Sequence, residues 1–66
     1  MKLAQVKFHG AVTIPGNCMN TYQAKDVISM EYDPKTMLVT FVYKCGSTVE
    51  TMLIPFSNVI WMKIAQ

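Results

Sequence analysis

The first nine residues alternate in polarity: Ala4, Val6 and Phe8 fall on one side, Gln5, Lys7 and His9 on the other. A period of two over this length predicts a half-buried strand. Gly10 interrupts the pattern and Val12 and Ile14 resume it, which predicts a bulge or sharp bend at the glycine. Pro15-Gly16-Asn17 ends the run as a turn, because proline fixes φ while glycine and asparagine accept positive φ. Alternation returns from Val27, with Ile28, Met30 and Tyr32 against Ser29 and Glu31. Asp33-Pro34-Lys35-Thr36 suits a type I turn, with Asp at its first position and Pro at its second. The β-branched and aromatic run Met37 to Lys44 predicts the partner strand of a hairpin. A turn at Cys45-Gly46-Ser47 leads to a third strand, Thr48 to Ile54, and the three make a meander.

The last stretch carries the most specific local pattern. Pro55 cannot donate to a ladder and stops its strand. Phe56-Ser57-Asn58 then predicts a single 3₁₀ turn, in which the short polar side chains bond to nearby backbone. Val59 to Ile64 begins a final strand that leaves at a steep angle and pairs with the first. Residues 18–26 are ambiguous: Asn20 or Thr21 caps a short helical turn through Tyr22-Gln23-Ala24-Lys25, or the segment is an irregular loop.

A bent first strand, a three-strand meander, a one-turn Pro-Phe-Ser-Asn break and a short closing strand resemble the layout of small SH3-like and Sm-like barrels. The resemblance covers residues 1–14 and 27–64, and it implies an all-β, five-stranded barrel in a single domain, residues 1–66. An OB-like barrel is the alternative topology, but the helix it usually carries between strands three and four has no room in Cys45-Gly46-Ser47. The compact sequence, most of all Ile54 to Met62, is also similar to small proteins encoded by tailed bacteriophages. That likeness implies action in a host cytoplasm, with modulation of a host protein as a natural role.

Composition sharpens this picture. The chain has 66 residues and 7.5 kDa, is 52% hydrophobic and 15% charged, and carries a net charge of +2. It is too apolar for a disordered tail and too weakly charged for a polybasic or acidic arm. A chain of this size buries only about 60% of the surface its unfolded form exposes. Apolar residues in excess of a small core must then meet solvent or a partner. The longest apolar runs are four residues, far short of the roughly 20 that span a bilayer. Gln5, Lys7 and His9 break up any secretory signal behind Lys2, so a cytoplasmic location is expected. Cys18 and Cys45 are expected as free thiols in a reducing compartment, or as one bridge if the protein is exported.

Catalytic chemistry finds little support. Asp33 is explained as a turn residue and Glu31 and Glu50 as solvent-facing strand residues, so no acid–base dyad stands out among these and Asp26. His9, the only histidine, could act as a base toward Cys18 or Cys45, but no third orienting group can be named. Two cysteines 27 residues apart and one histidine lack the close pairs of a structural zinc site. Gly10, Gly16 and Gly46 lie too far apart for a phosphate loop. The expectation is a non-enzyme with no cofactor and no metal.

Two binding functions remain. A single-stranded nucleic-acid binder would use the lysines, with Lys2, Lys7, Lys44 and Lys63 on one face beside Tyr43 as a stacking aromatic. The chain has no arginine, and its lysines are scattered, which weakens that reading. A protein-binding or self-associating module fits better. Simple alternation puts Val59 and Trp61 on one face of the last strand and Ile60, Met62 and Ile64 on the other, so both faces are apolar. The hairpin strand repeats this, with Leu38 and Val42 opposite Met37, Val39, Phe41 and Tyr43. Ile60, Met62, Ile64, Leu38, Val42 and Trp61 are the candidate partner-binding residues, Trp61 as anchor or, by preference, as core pivot. Six methionines add adaptable packing surface, and a homo-oligomer is expected.

Overall fold

The computed structural model describes all of residues 1–66 and is all-β. Strand β1 spans Leu3–Ile14, β2 Asn17–Gln23, β3 Ser29–Asp33, β4 Leu38–Cys45, β5 Thr48–Pro55 and β6 Val59–Ile64. Two 3₁₀ turns, Ala24–Asp26 and Phe56–Asn58, precede β3 and β6. The strands form two antiparallel three-stranded sheets, in the orders β2-β1-β6 and β3-β4-β5.

The meander, its turns and the 3₁₀ break at Phe56–Asn58 lie where the residue pattern puts them. At residues 18–26 the expectation is met only in part: a short helical turn is present, but as 3₁₀ at Ala24–Asp26, and β2 fills the segment before it through Gln23. The architecture therefore has six strands rather than five, in two sheets that do not close into a barrel. They meet at one corner: the Lys2 and Glu31 backbones pair as an isolated antiparallel β-bridge, and the Tyr32 N–H donates to the Met1 carbonyl at 2.8 Å. Lys2 also accepts from the Ala65 N–H at 2.8 Å, so the end of β6 is tied to the same corner.

The turns follow from residue chemistry. Ile14 pairs with Asn17 around Pro15-Gly16, and Gly16 takes φ +85°, which suits a type II turn with proline first and glycine second. Cys45 pairs with Thr48 around Gly46-Ser47, with Gly46 at φ +64° in the first central position of a II′-like hairpin turn. The loop between β3 and β4 is longer than a type I turn needs. The Asp33 carboxylate accepts from the Lys35 N–H at 2.9 Å, the Asp33 carbonyl accepts from the Met37 N–H at 2.8 Å, and Met37 is left-handed at φ +57°. Met37 thus belongs to the turn, and β4 begins one residue later than expected.

The core lies between the sheets. Leu3, Val6, Phe8, Val12, Ile14 and Tyr22 come from the first sheet and Met30, Tyr32, Val39, Phe41 and Ile54 from the second. Phe41 sits at its centre, edge-on to Phe8 at 5.6 Å and to Tyr22 at 5.2 Å between ring centroids. No buried side-chain nitrogen or oxygen lacks a hydrogen-bond partner.

Irregular register decides which residues reach this core. Leu3 pairs with Ile64 but Gln5 with Lys63, so Ala4 is an extra residue on β1. Ala4 is exposed and Leu3 buried, the reverse of unbroken alternation. Phe8 pairs with Val59 but Lys7 with Trp61, which makes Ile60 an extra residue on β6. Against β2, β1 shifts between Lys7 and Val12, so the bend expected at Gly10 sits inside that irregularity.

Candidate interaction faces

The Ile60 bulge reassigns the faces of β6. Val59 and Met62, three residues apart, both pack against the core, while Trp61 and Lys63 point outward and Ile60 and Ile64 are exposed. Ile60, Met62 and Ile64 therefore do not form one face, and Trp61 is not a core pivot. Trp61 is 37% exposed, and Lys63 Nζ stands 5.9 Å from its ring centroid. Across the strand pair Trp61 faces Lys7, and Lys63 faces Gln5. On the other side of β1, Lys7 faces Thr21 and Gln5 faces Gln23. The outer surface of β2-β1-β6 is thus a two-by-three array: Thr21, Lys7 and Trp61 beside Gln23, Gln5 and Lys63.

The outer surface of the second sheet has a different character. Val39 and Phe41 are buried and Tyr43 packs against the core, which leaves Leu38 and Val42 on the outward side of β4. Register places Leu53 opposite Thr40, diagonal to both Leu38 and Val42, and Val49 opposite Lys44. Val49 and Leu53 are each 59% exposed, more than any other large apolar side chain. They belong to the face already marked by Leu38 and Val42, and the signal for them was available: Thr48 to Ile54 carries apolar residues at both parities. Total accessible surface is 4245 Å², close to the roughly 4,250 Å² expected of a folded monomer of this mass. The exposed apolar groups therefore do not reflect a loosely packed chain.

The expected nucleic-acid residues are divided. Lys7 and Lys63 share the array around Trp61, and Lys2 lies at the corner bridge to Glu31. Lys44 sits on the other sheet opposite Val49, and Tyr43 is turned inward. The aromatic beside lysines is Trp61, one of the expected partner-binding residues.

The strand carboxylates are confined to one sheet. No carboxylate lies on β1, β2 or β6; Glu31, Asp33 and Glu50 all lie on β3 and β5, and Asp26 lies in the first 3₁₀ turn. There the Asp26 carboxylate accepts from the Gln23 N–H at 2.8 Å and closes the end of β2.

Cys18 and Cys45 are unpaired and exposed, and the Thr13 hydroxyl donates to Cys18 Sγ at 3.3 Å. Two clefts of about 280 and 180 Å³ flank the corner bridge, and neither is lined by His9, Cys18 or Cys45. Nowhere do three or more His, Cys, Asp or Glu side chains gather as metal ligands. No helix is long and apolar enough to cross a membrane. Comparison with protein-family models, curated proteins and solved structures finds no match to the chain.

Proposed function

We propose that this is a non-enzymatic interaction module of SH3-like or Sm-like design, which acts through the outer face of β3-β4-β5, and that its first partner is a second copy of itself. The observation that carries this reading is the pair Val49 and Leu53, each 59% exposed on an edge strand with one free side. Exposed edges pair readily with other strands, and a twofold axis makes one such edge serve both copies.

The spacing of β5 is self-complementary. An antiparallel pair of β5 strands with the axis at Thr51 sets Val49 against the partner's Leu53, and Leu53 against the partner's Val49. It extends the sheet to six strands and merges two apolar outer faces built from Leu38, Val42, Val49 and Leu53. Glu50 then faces the partner's Met52, so like charges are not directly opposed. Docking on a larger protein, a host protein in the setting that the phage likeness implies, would use this same face.

Light scattering on Leu53→Glu tests the reading. The substitution places a charge on an exposed position, so the fold should persist by circular dichroism while the dimer dissociates. A Leu53→Glu protein that keeps the mass of the unsubstituted assembly refutes pairing through β5.

A further inference from the structure

We infer that the outer face of the β2-β1-β6 sheet is a second binding site, for single-stranded nucleic acid, with Trp61 as the stacking platform. The inference rests on geometry independent of β5. Trp61 is the only tryptophan, it is exposed, and both of its same-face neighbours along and across the strands are lysines. Lys63 Nζ, 5.9 Å from the ring centroid, is close enough to meet a phosphate beside a base stacked on the indole.

The surroundings suit a polyanion with exposed bases. The three strands carry no carboxylate, and Asp26, whose carboxylate accepts from the Gln23 N–H, lies beyond the end of β2. Gln5, Gln23 and Thr21 complete the array with groups that both donate and accept hydrogen bonds, suited to base edges and sugar hydroxyls. A flat aromatic flanked by cations takes unpaired bases of any sequence, because every base presents a π-face. A duplex hides those faces, and an acidic polypeptide has none.

The experiment uses the whole chain and a labelled twelve-nucleotide oligo-dT as probe, followed by anisotropy of the label and quenching of Trp61 fluorescence. Saturable binding with quenching is expected. Two phosphate contacts predict a slope of about −1.4 in log K against log salt, which Lys63→Ala lowers to about −0.7. Trp61→Ala should weaken binding by about 5- to 150-fold. Lys63→Glu keeps the reporter on an exposed position and should abolish quenching, which covers the case where Trp61→Ala does not fold. Leu53→Glu should bind the oligonucleotide as the unsubstituted chain does, which separates this site from self-association. No binding, equal binding by Trp61→Ala, or equally tight binding of a duplex or of poly-glutamate overturns the inference, the last in favour of an acidic protein ligand.

Discussion

The Tyr22 hydroxyl donates a hydrogen bond to the Val12 carbonyl, across the stretch where β1 and β2 fall out of register. The phenol is fully buried, and its ring packs edge-on against Phe41 at 5.2 Å. One side chain thus ties the two ends of the irregular stretch together, from Tyr22 opposite Val6 to Val12 opposite Met19, and fastens the β1–β2 hairpin to the core. Tyr22→Phe should keep the ring packing and lose about 1–2 kcal/mol, because the Val12 carbonyl is left without this donor. Urea denaturation measures the loss, and an unchanged midpoint would show that the bond contributes nothing.

Alkaline titration reads the burial of the same phenol. Burial raises the Tyr22 phenol above its ordinary value of 10.0, because the fold excludes the water that would solvate phenolate. The unfolded chain releases this proton near pH 10 and the folded chain only at higher pH. The stabilisation is therefore complete below about pH 10 and is lost as pH rises through the folded value. The stability difference between the unsubstituted protein and Tyr22→Phe should narrow above pH 10; a difference that stays constant through alkaline pH contradicts the assignment.

Phe41 joins the two sheets through Phe8 and Tyr22, and Phe41→Ala should cost about 3–5 kcal/mol. A chain this short has a total stability of roughly 3–10 kcal/mol, and no disulfide supplements it here. Far-UV circular dichroism should show Phe41→Ala largely unfolded at 37 °C, and Phe41→Leu folded with a lower melting temperature. A fully folded Phe41→Ala would move the centre of the core elsewhere.

Met37 occupies the left-handed region at φ +57° with its side chain exposed. Glycine adopts that conformation without a Cβ clash, so Met37→Gly should stabilise by about 0.5–1 kcal/mol, while Met37→Val should destabilise. Thermal melts of the two variants should move in opposite directions. If both fall, the turn is held by the methionine side chain.

A cysteine at the proposed twofold axis reports self-pairing through chemistry. In a Cys18→Ser, Cys45→Ser background, Thr51→Cys should oxidise to a covalent dimer faster than the same background carrying Lys35→Cys in the β3–β4 turn. Equal rates at the two positions would place the axis away from β5.

Much of the fold could be read from residue type, and the misreadings have a common cause. The β3-β4-β5 meander has unbroken register, so alternation identifies Val39 and Phe41 as inward and Leu38 and Val42 as outward. Proline and glycine mark its turns, and Pro55 with Ser57 and Asn58 marks the 3₁₀ break. The other sheet is built around extra residues, and each one inverts parity for everything beyond it. The Ile60 bulge sends Val59 and Met62 inward together and turns Trp61 outward. In β2, Met19 faces Val12 and Tyr22 faces Val6, so two inward residues lie three positions apart. That spacing imitates a helical turn, which is how Asn17–Gln23 escaped recognition as a strand. The apolar face around Leu38 and Val42 was legible because it lies on the regular sheet. The lysine–tryptophan array was not, because it depends on the bulge.

The claim that the exposed apolar face of β3-β4-β5 serves self-association is tested most directly by sedimentation equilibrium of the unsubstituted protein over a wide concentration range. Self-pairing through β5 requires a mass that rises from 7.5 kDa toward twice that value as concentration increases. A mass that stays at 7.5 kDa at the highest attainable concentration, with Val49 and Leu53 both in place, would contradict it.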